Sequence, residues 1–238
     1  MDNNLDNKSD NNFENTQLFK EEKIEKTRRQ LFFEILGTKI WELFGLNILF
    51  VLFSVPLITI GPATCGVVRV TRNYALDKQA FLWGDFWKGF KQNFFRSLAI
   101  SIPTGLAVLG SVAGFFVYSD LAASVSKGWY IFMALTILIG IVMVMMNFYA
   151  YIMLIFTDID IKGIYKNAFI LTIVAFKTNF LLFLFCGVLI AAVGILWFYV
   201  KFMTLLFLFI PFAFNWYIIC FNCYPIVNKY IIEPYYAD

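Results

Sequence analysis

Leu43–Arg72 reads LFGLNILFVLFSVPLITIGPATCGVVRVTR, and the fold turns on how this stretch is taken. Leu43–Ile60 holds no charged residue. As a helix it would be about 27 Å long, close to the thickness of a hydrocarbon core. The chain then breaks at Gly61-Pro62 and turns basic at Arg69 and Arg72. Pro56 within the run and Gly61-Pro62 at its end release backbone groups that lipid cannot satisfy, so protein or water has to. Two readings stand: one kinked crossing, or a hairpin that enters and returns on the same face.

Further apolar runs of spanning length follow at Leu98–Tyr118, Trp129–Thr157, Phe180–Val200 and Phe202–Tyr224. Of the 238 residues, 61% are hydrophobic and only 15% charged, with mean hydropathy +0.73. Soluble domains lie nearer one half and one quarter. The expected fold class is all-α: a polytopic α-helical membrane protein with about five membrane-spanning helices plus interfacial amphipathic helices. The formal charge of +3 comes with no dense basic block. The lipid bilayer is therefore the first expected partner, and no nucleic acid is expected.

Residues 1–17 are polar and of low complexity, and are expected to be disordered without acting as a signal peptide. Residues 18–40 read as a juxtamembrane helix, with Glu22 four before Lys26 and Glu25 four before Arg29. Trp41 then serves as an interface anchor. Residues 41–230 form a single helical membrane domain, and 231–238 a short tail.

The chemistry available is narrow. There is no histidine, which removes the commonest general base and metal ligand. Cys65, Cys186, Cys220 and Cys223 lie in or beside apolar segments and read as small buried side chains. Cys220 and Cys223 match C-x-x-C, but without a second ligand pair. No GxxxxGK[ST] and no GxSxG occur. The expectation is a non-enzyme without catalytic, cofactor-binding or metal-ligating residues.

Orientation rests on Lys and Arg. If the opening stretch crosses once, they divide almost evenly between the two faces and set no orientation. If it is a hairpin, all but two of the nineteen lie on one side. Against the hairpin stands Arg69, whose approach to the bilayer costs about 2.5 kcal/mol or more unless paired or snorkelling. Ala63–Leu76 is also short, about 21 Å as a helix. On cost, the kinked crossing is preferred narrowly.

Helix breaks are expected at Pro56, Gly61, Pro62, Pro103 and Pro211, the last in the middle of the fifth run, which Pro225 ends. Trp83, Phe86, Trp87, Phe90 and Phe94 share one face of a helix over Trp83–Ser97, with Asp85, Lys88, Gln92 and Arg96 elsewhere. That pattern reads as an interfacial helix on an anionic leaflet, or as a docking face. Gly110 and Gly114 form a GxxxG expected to pack within the molecule. Asn147 and Asn215 fall within spans, where helix-to-helix glue is preferred over a polar path. Asp158 and Asp160 stand at a membrane boundary, where they could bind a cation, although solvated acids, or acids paired with Arg69, Arg72 or Lys162, are preferred. A second interfacial helix is expected over Ile161–Phe176.

Three segments carry a likeness: Ser54–Gly66 (SVPLITIGPATCG), Asp85–Ser97 (DFWKGFKQNFFRS) and Tyr151–Phe169 (YIMLIFTDIDIKGIYKNAF). Together they resemble the YesL-like family of bacterial integral membrane proteins, a domain of unknown function. The resemblance implies a multi-pass protein of a Gram-positive plasma membrane, associated with carbohydrate uptake systems and sensor kinases. It supplies no catalytic residues. The expected function is a non-enzymatic accessory protein that binds a transporter or sensor kinase complex. The alternative is a small transporter or channel, with discontinuous helices around a polar cavity.

Overall fold

The computed structural model describes residues 28–199 and 211–234. The expectations for residues 1–17, for 18–27, for the start of the fifth run at 202–210 and for 235–238 lie outside them. The helices are α1 (Arg28–Ser54), α2 (Ile60–Ala75), α3 (Leu82–Gln92), α4 (Phe94–Ser124), α5 (Trp129–Phe156), α6 (Ile161–Val174), α7 (Phe176–Tyr199) and α8 (Pro211–Val227). A 3₁₀ turn, Leu57–Thr59, precedes α2, and a π-helical turn, Asn228–Ile232, follows α8. Among the described residues there is no strand.

Contacts divide the chain into Met1–Thr38 and Lys39–Asp238. In the first unit, Thr38 Oγ1 donates back to the carbonyls of Glu34 and Ile35, the bond by which a threonine sits inside a helix. The second unit holds the rest of α1 and every helix after it.

Among the described residues, three helices are long and apolar enough to cross a membrane: Gln30–Ser54, Phe94–Ser124 and Trp129–Phe156. Ile161–Val174 and Phe176–Ala192 pass the same test as a pair, bent by 94°, which makes up to four. The fourth expected run thus lies in the second arm of this bent pair, and the first arm covers the residues of the expected interfacial helix over Ile161–Phe176.

The opening stretch reverses. At its turn the Thr59 hydroxyl lies 2.6 Å from the Phe53 carbonyl and 2.9 Å from that of Pro56, and the Thr59 N–H donates to Pro56 at 2.7 Å. One carbonyl orphaned at the end of α1, that of Phe53, and the Pro56 carbonyl beyond it are therefore met by one threonine. Pro62 stands in the first turn of α2, where its missing N–H costs no helical bond. At the far end of α2, the Tyr74 hydroxyl donates to the Glu42 carboxylate at 2.6 Å. A kinked crossing would have placed those residues at opposite ends, so the preference for it is corrected: Leu43–Leu76 folds back on itself. Depth supports this. A Cβ on Gly61 would stand 2.6 Å from Ser101 Oγ and 3.0 Å from the Ser97 carbonyl, within the first turns of α4. Beyond Ser101, α4 runs on for about 34 Å. The turn thus lies beside the beginning of α4.

The returning arm is tolerated because protein replaces lipid around it. Every residue from Gly61 to Val68 is buried, as are Val70, Thr71 and Tyr74. The rest of the core comes from Met145–Leu154 of α5, the inner face of α6 and most of α8. In contrast, α4 and the first half of α5 leave Leu106, Leu109, Phe116, Ile131 and Ile139 exposed.

Candidate functional site

α2 and α3 cross at two glycines. A Cβ on Gly89 would lie 2.7 Å from the Cys65 carbonyl and 3.0 Å from the Gly66 Cα; one on Gly66 would lie 2.6 Å from the Phe86 ring. Helices approach this closely only where both lack side chains. The crossing brings the Arg69 Nε within 3.7 Å of the Asp85 carboxylate, part-buried on both sides. Asp85 also accepts from the Phe81 N–H at 3.0 Å, completing the start of α3.

The aromatic stripe of α3 has a partner within the chain. Phe53 sits with its ring centroid 5.3–6.2 Å from those of Trp83, Phe86, Trp87 and Phe90. Phe86 and Phe90 are buried, while Trp83 remains 57% exposed. Helix α3 stops at Gln92, and Phe94 opens α4, its ring 5.7 Å from that of Phe90. The expected docking or interfacial face is therefore largely an inward one, closed by α1.

Arg72 stands one turn beyond Arg69, between two rings. Its guanidinium lies 4.1 Å from the centroid of Phe156, at the end of α5, and 4.7 Å from that of Tyr224 in α8. One terminal nitrogen donates to the Tyr224 hydroxyl at 2.8 Å and the other to Asn73 Oδ1 at 3.3 Å, while the buried Nε has no acceptor. One side chain thereby joins α2, α5 and α8, and the dipole of α2's last turn favours its charge. Of the alternatives for Asp158 and Asp160, both residues take the exposed one, and pairing with Arg69 or Arg72 does not form. Asp160 caps α6 by accepting from Gly163 N at 3.2 Å, and Asp158 is exposed. The loop between them is held by Arg96, which donates to the Ile159 carbonyl at 2.6 Å.

Pro103 lies inside α4 and cannot donate to the Ala99 carbonyl. The Tyr165 hydroxyl of α6 donates there instead, at 2.9 Å. Pro211 is the first described residue of α8, so the expected break there borders residues outside the described ones; Asn47 Oδ1 accepts from the N–H groups of Phe212 and Ala213, both at 3.0 Å. Pro225 does not end the last helix, which continues to Val227. Asn147 accepts from Thr104 Oγ1 at 3.2 Å, joining α4 to α5, whereas Asn215 is buried with its Oδ1 unpartnered. The bend between α6 and α7 is stitched by Asn179. It accepts from the Tyr149 hydroxyl at 2.5 Å and donates to the Leu171 and Thr172 carbonyls at 3.3 and 3.1 Å. All four cysteines are free and buried. An apolar groove of about 480 Å³, lined by Val108, Val112, Phe115, Ile141, Val144 and Phe183 among others, opens between α4, α5 and α7.

These elements define a helical membrane protein whose polar groups are spent on joining helices. Residues 43–120 match a family model described as a protein of unknown function, DUF624. The match takes in the reversing stretch, the Gly66–Gly89 crossing and most of α4, so two of the three segments noted in the sequence fall within it. Neither the comparison with curated proteins nor that with solved structures gives a match.

Proposed function

We propose that this is a non-enzymatic accessory protein of a bacterial plasma membrane, which binds a membrane transporter or sensor kinase complex associated with carbohydrate uptake. The observation that carries the reading is the closed state of the helix break. Gly61, Pro62 and Gly66 are buried, and the two glycines are packed against α4 and α3 respectively. A transporter with discontinuous helices uses such a break to line a polar cavity around its cargo. Here protein covers the α2 side of the break, and the exposed residues of its turn, Val55, Leu57 and Ile58, are apolar, which favours interaction over transport. The apolar flanks of α4, α5 and α7 supply the surface that a partner within the bilayer would cover. The end bearing Arg69, Arg72, Arg96 and Lys162 faces the cytoplasm in this reading. The link to carbohydrate uptake rests on the resemblance of the three segments.

Cross-linking in native membranes followed by purification of the tagged protein tests this. One membrane protein is expected in stoichiometric yield, its contacts mapping to α4, α5 or α7. Recovery of lipid alone would overturn the accessory role. Solute flux in vesicles of the pure protein, abolished by Asn147→Leu, would replace it with transport.

A further inference from the structure

Two cations near this end meet a carboxylate, and Arg72 does not. Lys39 pairs with Glu42 at 2.7 Å and Arg69 faces Asp85. Among the described residues no carboxylate comes within 4.0 Å of Arg72. Two aromatic faces displace water from its plane, and its Nε is shut away without an acceptor. Rings attract a guanidinium but do not neutralise it. Arg72 is nevertheless only part-buried, and each of its two terminal nitrogens keeps a second N–H beyond the one it spends. Tyr224 has capacity to spare as well, since its hydroxyl accepts from Arg72 and still holds its own proton. These unspent donors sit where Phe156 ends the apolar run of α5 and Asp158 and Asp160 begin the polar corner, the level at which headgroups lie.

We propose that Arg72 and Tyr224 form a binding site for a phosphate group, carried by an anionic phospholipid. The remaining N–H groups of the fork and the Tyr224 O–H donate to the phosphate oxygens, while Phe156 and Tyr224 hold the guanidinium plane in place. A planar fork suits phosphate geometry better than an ammonium does. Arg69, committed to Asp85, is outside the site. The proposal stands independently of the accessory reading, since the site needs only lipid.

The test uses the full chain, purified in a neutral detergent and followed by thermal unfolding. Phosphatidylglycerol should raise Tm by about 5 °C more than phosphatidylcholine does. Arg72→Lys, which keeps the charge and loses the fork, should remove most of that difference, and Tyr224→Phe should halve it. Arg69→Gln should retain it. Native mass spectrometry should show one phosphatidylglycerol fewer on Arg72→Lys, a readout that a loss of stability alone would not produce. Inorganic phosphate at millimolar concentration should leave Tm unchanged; an equal shift would overturn the lipid as source and assign the site to a soluble phosphate. Wild-type increments in both Arg72→Lys and Tyr224→Phe would overturn the site itself.

Discussion

The α2–α3 pair and the α4–α5 pair both pack through small and apolar residues, yet they are solvated by different things. In the first, Gly66 and Gly89 bring two backbones together, and α2 is enclosed by protein along most of its length. In the second, Ser111 donates to the Thr136 carbonyl at 2.6 Å and Gly114 meets Thr136, so the helices touch along one narrow seam. Their remaining faces carry large exposed side chains, Leu106, Phe116 and Ile131 among them. Side-chain size separates the two. The small residues of α2, IGPATCGVVRVT, let neighbours close on every side, whereas large residues around α4 hold protein away and leave the space to lipid. A helix apolar all round needs no protein partner where the solvent is hydrocarbon.

The contrast is easiest to break at Gly89. Its first neighbours are the Cys65 carbonyl and the Gly66 Cα, backbone atoms that no rotamer change can move. Gly89→Val should cost about 3 kcal/mol or more, at the upper end for overpacking, and should separate α3 from α2. Thermal unfolding in detergent reads the loss, and exposure of buried Cys65 to a maleimide reads the separation. A variant with the stability of the wild type and an unreactive Cys65 would mean that the crossing is looser than these two contacts require.

A second test asks whether buried amides hold bends as firmly as glycines hold crossings. Asn179→Leu keeps the branching and the number of heavy atoms, and removes the acceptor of Tyr149 together with the donor to two carbonyls. Those groups then lie unpaired, and the loss should be about 2 kcal/mol. Amide exchange across residues 171–179 should quicken while that of α2 stays slow. Uniform quickening throughout the chain would show that the bend is no separate unit.

What could be read from the chain obeys the same division. Length and hydropathy place α4 and α5 well, because a helix in lipid answers chiefly to its own composition. The buried hairpin is harder: Arg69 argued against a return, and only the position of Asp85 across the glycine crossing shows how its charge is met. Periodicity revealed the aromatic face of α3 but not that Phe53 covers it. Asn47, Asn179 and Tyr165 escaped notice because each serves the end or break of a different helix. Which helix ends meet is a property of the tertiary fold. One weak signal existed, a lone amide such as Asn47 in an otherwise apolar run, since a buried amide needs a partner.

The finest test lies within one motif. Gly110 and Gly114 are a GxxxG by spacing, yet a Cβ on Gly114 would stand 2.9 Å from Thr136 Oγ1, whereas one on Gly110 meets nothing within 4 Å. Thr136 is β-branched, and its hydroxyl already donates to the Met133 carbonyl at 2.9 Å, so it yields at a cost. Gly114→Ala should therefore destabilise by about 1 kcal/mol. Gly110→Ala adds a better helix former facing open space, and should be neutral or stabilise by up to about 1 kcal/mol. Opposite signs, measured as Tm in one detergent, are what a seam on one side of α4 requires. Equal losses would mean that both glycines face a helix, and that the outer side of α4 is covered in solution by something other than lipid.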